Sequence, residues 1–170
     1  MSDSTRPPIA DEARRRAFEQ ALQQLARTME QMETAVSAFP PDFDLEAFTQ
    51  AWYSQAPEER NRAMLVRSNM DDLQNLCQGL IDRGVRVAQD LGAIPADRKT
   101  SAAEQLRGLD LFPKQVQLVI QEVIDLRNTS QHAYWILAPE DVHAAVTHQR
   151  SALPAFIADL GEWVEGLSNA

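Results

Sequence analysis

The sequence predicts an all-α protein, an antiparallel helical bundle headed by an extra long N-terminal amphipathic helix. Three observations predict it. Long stretches are rich in the strong helix formers Ala, Leu, Glu, Gln and Arg. Six glycines and 6% aromatics beside 44% hydrophobic residues suit helices better than a sandwich or barrel. Apolar residues recur at alternating four- and three-residue steps along two long segments, the spacing of one helix face. A chain of 170 residues fits one domain with a sizeable core.

Residues 1–9 are polar, include Pro7-Pro8, and are expected to be a disordered N-terminus. Phe18, Leu22, Leu25, Met29, Met32, Val36 and Phe39 then mark one face of a long helix, which Pro40-Pro41 ends. Phe43 to Gln55 reads as a short helix carrying Leu45, Phe48 and Trp52, before Pro57 opens the next. Val66, Met70, Leu73, Cys77, Leu80, Gly84, Val87 and Leu91 form a second stripe, with Arg67, Asp72, Gln74, Asn75, Asp82, Arg83 and Arg86 placed mostly on other faces. Two such helices on a short connection should pack antiparallel at a shallow angle. Gly92 through Lys99 is a loop, and Ser101 with Glu104 is a capping-box signature for a short helix ending near Gly108. Pro113 starts a helix with Val116, Val119, Ile120, Val123 and Ile124 on its core face. Pro139 starts the last helix, through Val142, Val146, Leu153, Phe156, Ile157, Leu160, Trp163 and Val164, with a kink expected at Pro154. The organisation is thus an N-terminal helical extension over residues 10–56 and a bundle over 57–167, packed together as one domain.

The excess of 25 acidic over 16 basic side chains, a net charge of −9, argues against a broad nucleic-acid footprint, so any RNA contact must be local. The single cysteine, Cys77, lies on an apolar stripe and reads as a small buried hydrophobe. With no apolar signal core near the N-terminus and no segment of membrane-spanning length, a cytoplasmic location without membrane attachment is expected. No His, Cys, Asp or Glu cluster has metal-ligand spacing, so neither metal nor cofactor is expected; His143 and His148, five apart, read as solvated or core-edge.

Following the helical steps of the Pro113 segment past Ile124 leads onto Arg127 and Asn128, then Gln131: an apolar stripe that turns polar at its end. A guanidinium on such a stripe needs an anion, a carboxylate or a subunit boundary. A local pairing with Asp125 or Glu122 is one answer. Asn128 and His132 share a face if the helix persists, whereas Arg127 and His132 stand about 140° apart. Their convergence requires a break in the helix or a second copy of the chain. An arginine five residues before a histidine is common by chance, but Tyr134 two places further on makes the composite uncommon.

Arg127, Asn128, His132 and Tyr134, with the restart Pro139-Glu140-Asp141-Val142, resemble the HEPN superfamily, most closely its HepT-like toxins. The family motif is arginine, four residues, histidine, one residue, tyrosine, often with asparagine after the arginine. The likeness spans roughly residues 57 to 165. It implies a homodimer in which two motifs face one cleft, and a metal-independent endoribonuclease acting in a toxin-antitoxin system. His132 would then serve in acid-base transfer at a helix end that favours its charged form, Arg127 would fork onto the phosphate, and Asn128 would orient it. The cognate antitoxin of that group is a minimal nucleotidyltransferase that adenylylates the motif tyrosine, here Tyr134. Two departures stand out: Thr129-Ser130-Gln131 where apolar residues are usual, and the extra N-terminal region. Two readings without catalysis stay open: a helical module that binds a nucleotidyltransferase, and an adaptor docking through its N-terminal helix.

Overall fold

The computed structural model describes residues 8–96, 99–108 and 137–168, together with Gln121 and Asp125. Among these the regular elements are all helical: α1 (Pro8–Val36), α2 (Leu45–Trp52), α3 (Pro57–Asp90), α4 (Ala102–Gly108) and α5 (Pro139–Ser168). The all-α expectation holds. Where disorder was expected to residue 9, α1 already begins at Pro8. Proline is accepted there because the first helical N–H has no intrahelical partner in any case.

The two stripes form the core. Phe18, Leu25, Met32, Val36 and Phe39 from the first, and Val66, Met70, Leu73, Cys77, Leu80 and Val87 from the second, are buried together. Leu91, on the same stripe, is instead 41% exposed. The helix stops one residue earlier, Gly92 takes a left-handed φ of 75°, and Ala93 N donates to Ala88 O at 2.9 Å. The chain therefore turns away before Leu91 reaches the core.

Long-range contacts fix the directions. Arg14 pairs with Asp90 and Asn69 Nδ2 donates to Gln31 O at 3.5 Å, so α1 runs antiparallel to α3. Arg150 meets Glu33 and Gly161 faces Leu22, so α1 is antiparallel to α5 as well. Gln149 donates to Met70 O while Gly84 faces Leu160 and Val164, so α3 and α5 run parallel. At Gly84 a Cβ would sit 3.3 Å from the Phe18 ring, 3.5 Å from Leu160 and 3.8 Å from Val164. The missing side chain is what lets three helices meet there.

Local chemistry sets the ends. Asp44 caps α2 by accepting from Ala47 N at 2.8 Å. The predicted capping box starts α4, with Ser101 N donating to Glu104 Oε2 at 3.0 Å and Glu104 N to Ser101 Oγ at 3.3 Å. Asp141 plays the reciprocal part at α5, accepting from Ala138 N at 3.2 Å. Pro154 lies inside α5, which continues through it to Ser168.

Between α1 and α2, Asp42 and Phe43 adopt positive φ of 44° and 61°. That conformation is uncommon for a phenylalanine and is held by packing. Its ring meets Phe39 at 6.1 Å and Phe48 at 5.0 Å edge-on, and stacks on His143 at 4.4 Å. His143 Nε2 lies 2.7 Å from Phe43 O, where it must carry the proton to donate. The core-edge reading of His143 is correct, and His148 is exposed.

Arg150 ties this turn to α1 and α5. Its Nε and Nη2 fork onto Glu33 at 2.7 and 2.9 Å, and its Nη1 and Nη2 each reach Asp42 at 3.3 Å. These bonds and the adjoining negative charges push the guanidinium above its usual range. Because both acids are largely exposed, Arg150→Met should lower stability by only about 1 kcal/mol, and by less in 1 M salt. Urea denaturation at two salt concentrations measures both.

Candidate functional site

Residues one step behind the apolar stripe of α3 build a second, polar stripe. Arg67, Asp71, Gln74 and Gln78 keep the same four- and three-residue steps as Val66, Met70, Leu73 and Cys77, turned by about 100°. Arg67 and Gln74 thus lie on a face other than the apolar stripe, as the spacing predicts, but that face is buried as well, with Arg67 covered and Gln74 1% exposed. The apolar sector is wider than a strict a/d seam, and it carries these side chains inward with it. The signal that finds them is a polar run in phase with a core stripe and directly beside it.

One end of this sector is closed by α2. The Arg67 guanidinium lies over the Trp52 ring, 5.7 Å from its centroid. Trp52 is held in turn by Phe48, at 5.8 Å edge-on. One turn along α3, burial pushes the Asp71 carboxyl above the ordinary carboxylate range; the Arg67 charge opposes this and Asp72 adds to it. Among the described residues, Gln74 leaves both Oε1 and Nε2, Gln78 leaves Oε1, and Asp71 leaves Oδ1 buried without a hydrogen-bond partner. Further toward the C-terminus the same sector becomes apolar at Val85 and meets α4, where Gln89 Nε2 donates to Gln105 Oε1 at 2.9 Å.

Buried polar groups left unpaired cost about 1–3 kcal/mol each, and proteins retain few of them. Gln74→Met keeps the length of the side chain and removes two such groups. It should raise stability by about 1 kcal/mol or more, seen as a higher urea midpoint at unchanged slope. A fall in the midpoint would mean that the amide is satisfied in the folded chain.

The site residues named from sequence, Arg127, Asn128, His132 and Tyr134, lie outside the described residues. Near them, Gln121 and Asp125 are helical, and Gln121 Nε2 donates to Asp125 Oδ1 at 2.8 Å. On the other side of the motif, α5 starts at Pro139 as expected, with Val142 buried.

Other features of the described residues offer less chemistry. A groove of about 470 Å³ between α1 and α3 is lined by Gln31, Thr34, Ala35, Ala38, Arg62, Leu65 and Asn69, on a different side of α3 from the polar sector. Cys77 is buried, and burial pushes its thiol up to about 12, so it packs as a hydrophobe. Among the described residues no three His, Cys, Asp or Glu side chains gather into a metal-binding group, and no helix is long and apolar enough to cross a membrane.

A family model described as ribonuclease HepT-like matches residues 44–160, more than two thirds of the chain. The match takes in α2, α3, α4, most of α5 and the whole Arg127 to Tyr134 motif, and leaves α1 outside. No curated protein and no solved structure matches the chain.

Proposed function

The chain belongs to the ribonuclease HepT-like family, and from that premise we propose that it is the toxin of a toxin-antitoxin system, a metal-independent endoribonuclease whose site is completed across a homodimer. The observation that carries this reading is the family match over residues 44–160 enclosing Arg127, Asn128, His132 and Tyr134 at motif spacing. Its chemistry follows from the residue types. The ribose 2′-hydroxyl gives up its proton as its oxygen attacks the adjacent phosphorus. The bond from phosphorus to the 5′ oxygen breaks, that oxygen takes a proton, and a 2′,3′-cyclic phosphate and a 5′-hydroxyl remain. His132 moves protons, Arg127 neutralises the phosphoryl oxygens, and Asn128 orients the phosphate or the 2′-hydroxyl. Two copies of the motif facing one cleft resolve the 140° separation of Arg127 from His132.

In the same reading the partner is a minimal nucleotidyltransferase antitoxin that adenylylates Tyr134. The added phosphate puts negative charge and bulk beside the cleft and blocks RNA. Both proteins act in the cytoplasm.

The test is cleavage of RNA by the purified full chain in excess EDTA, with products bearing a 2′,3′-cyclic phosphate and with 2′-O-methyl RNA left intact. The net charge of −9 favours a second reading, a non-catalytic helical module that binds the nucleotidyltransferase. Inactivity on varied RNAs together with tight complex formation would select it.

A further inference from the structure

We infer that the groove between α1 and α3 binds an adenine nucleotide, with the Arg62 guanidinium on its phosphate, Leu65 against its sugar and base, and the Asn69 amide on the edge of the base. The groove lies wholly among the described residues, and its ligand does not depend on whether the chain cleaves RNA.

Helical spacing arranges the three side chains. Arg62, Leu65 and Asn69 follow three- and four-residue steps along α3, so a cation, an apolar side chain and an amide stand in one row on one face. The outer two are two turns apart, about 10 Å of helix rise, comparable to the span from the base edge of a nucleotide to its 5′-phosphate. The antiparallel α1 forms the other wall. It sets Gln31 beside Asn69, whose Nδ2 donates to Gln31 O, and brings Ala35 and Ala38 toward Arg62. Those small side chains leave the groove open, at about 470 Å³, within the range of small-ligand pockets.

The groove is open to solvent and its polar groups are unspent. Leu65 is 54% exposed, a large apolar side chain at the wall. Arg62 is exposed and pairs with no carboxylate among the described residues, so in a chain of net charge −9 it is a cation left for an anionic group. Asn69 is 6% exposed, and its one hydrogen bond, at 3.5 Å, is at the long limit. Its Oδ1 accepts from no described residue, and a ligand in the groove can supply the donor.

An anionic head, a flat body with apolar faces, and a donor beside an acceptor at the far end together describe a nucleotide. Adenine suits the amide best, since its amino hydrogen and ring nitrogen complement the oxygen and amino group of an asparagine. A fatty acid or alkyl phosphate would satisfy Arg62 and Leu65 but leave Asn69 facing hydrocarbon. The nucleotide can come from two sources, free AMP or one unit of an RNA chain.

The test is an NMR titration of the full chain with AMP, adenosine and purine riboside 5′-monophosphate, and with uncleavable 2′-O-methyl oligoadenylate as the RNA form. Saturable shifts centred on Leu65 and Asn69 are expected with AMP, with the oligomer or with both. AMP alone assigns a free-nucleotide site, and the oligomer alone an RNA-holding site. Adenosine should bind about tenfold more weakly than AMP at low salt, and purine riboside monophosphate, which lacks the amino group, about fivefold more weakly. Arg62→Gln should make AMP and adenosine equal. Leu65→Glu, a surface change that sets a carboxylate in the groove, should remove binding with the circular dichroism spectrum unchanged. Absence of saturable binding by both AMP and the oligomer at millimolar concentration overturns the inference. Binding that survives both substitutions does so too, because the ligand then sits elsewhere, and self-association abolished by Leu65→Glu would give the groove to a second copy instead. RNA cleavage is scored separately: its absence removes the nuclease reading and leaves the groove and its nucleotide standing.

Discussion

His132→Ala should slow RNA cleavage by about 10²–10⁴-fold, the range supplied by a positioned acid-base group, with the fold intact. Circular dichroism and the urea midpoint separate loss of chemistry from loss of structure. Arg127→Ala should be comparably damaging, because in the proposed metal-independent reaction the phosphoryl group gaining charge depends on that guanidinium. The pair permits a sharper test of the dimeric cleft. When the two inactive variants are mixed and allowed to exchange subunits, each mixed dimer holds one intact arginine and one intact histidine. Partial recovery of cleavage is expected if the cleft is shared. Mixtures as inactive as their components, despite demonstrated exchange, would assign the site to a single chain. Undiminished cleavage by both variants would remove these residues from the chemistry altogether.

Phe48→Ala should produce the largest loss of stability. Its side chain has no exposed surface and is packed edge-on against Phe39 at 5.3 Å, Phe43 at 5.0 Å and Trp52 at 5.8 Å. Truncating a fully buried phenylalanine costs about 3–5 kcal/mol in lost transfer energy and cavity formation. For a chain of this size that corresponds to a fall of roughly 10 °C in Tm. The effect should extend beyond stability. Phe48 supports both the positive-φ turn through Phe43 and the Trp52 ring under Arg67, so its loss loosens the wall of the polar sector as well as the core. Phe48→Leu, which refills most of the volume, should recover most of the Tm. Equal damage from both substitutions would show that ring geometry outweighs volume here.

What sequence could deliver depended on the range of the interactions involved. α1 and α3 were legible because burial repeats with the period of the helix, and α4 because Ser101 and Glu104 form its cap within three residues. The ends were less legible where backbone conformation decided them. Asp42 and Phe43 hold positive φ without a glycine, sustained by His143, a hundred residues away in sequence. The Arg150 clamp joins positions 108 and 117 residues apart, and no local pattern encodes it. At the site the division differs. The Arg127 to Tyr134 motif could be read from the chain because its spacing is a family signature. The burial of Arg67 and Gln74 was not legible, because nothing in the spacing of the apolar stripe says how far the buried sector extends around the helix. On a helix with so wide a buried sector, position around the axis decides burial first, and residue type then decides what that burial costs.

The antiparallel seating of α1 on α3 also constrains how the protein is made. α1 is synthesised before its counterparts, with Asn69 lying 38 residues after Gln31 and Asp90 lying 76 residues after Arg14. At ribosomal elongation rates the latter gap lasts on the order of ten seconds. Until α3 is complete, the N-terminal part of the apolar stripe from Phe18 to Phe39 lacks its counterpart on that helix. The nascent chain thus passes through a period in which the apolar face of α1 precedes the helices that bury it.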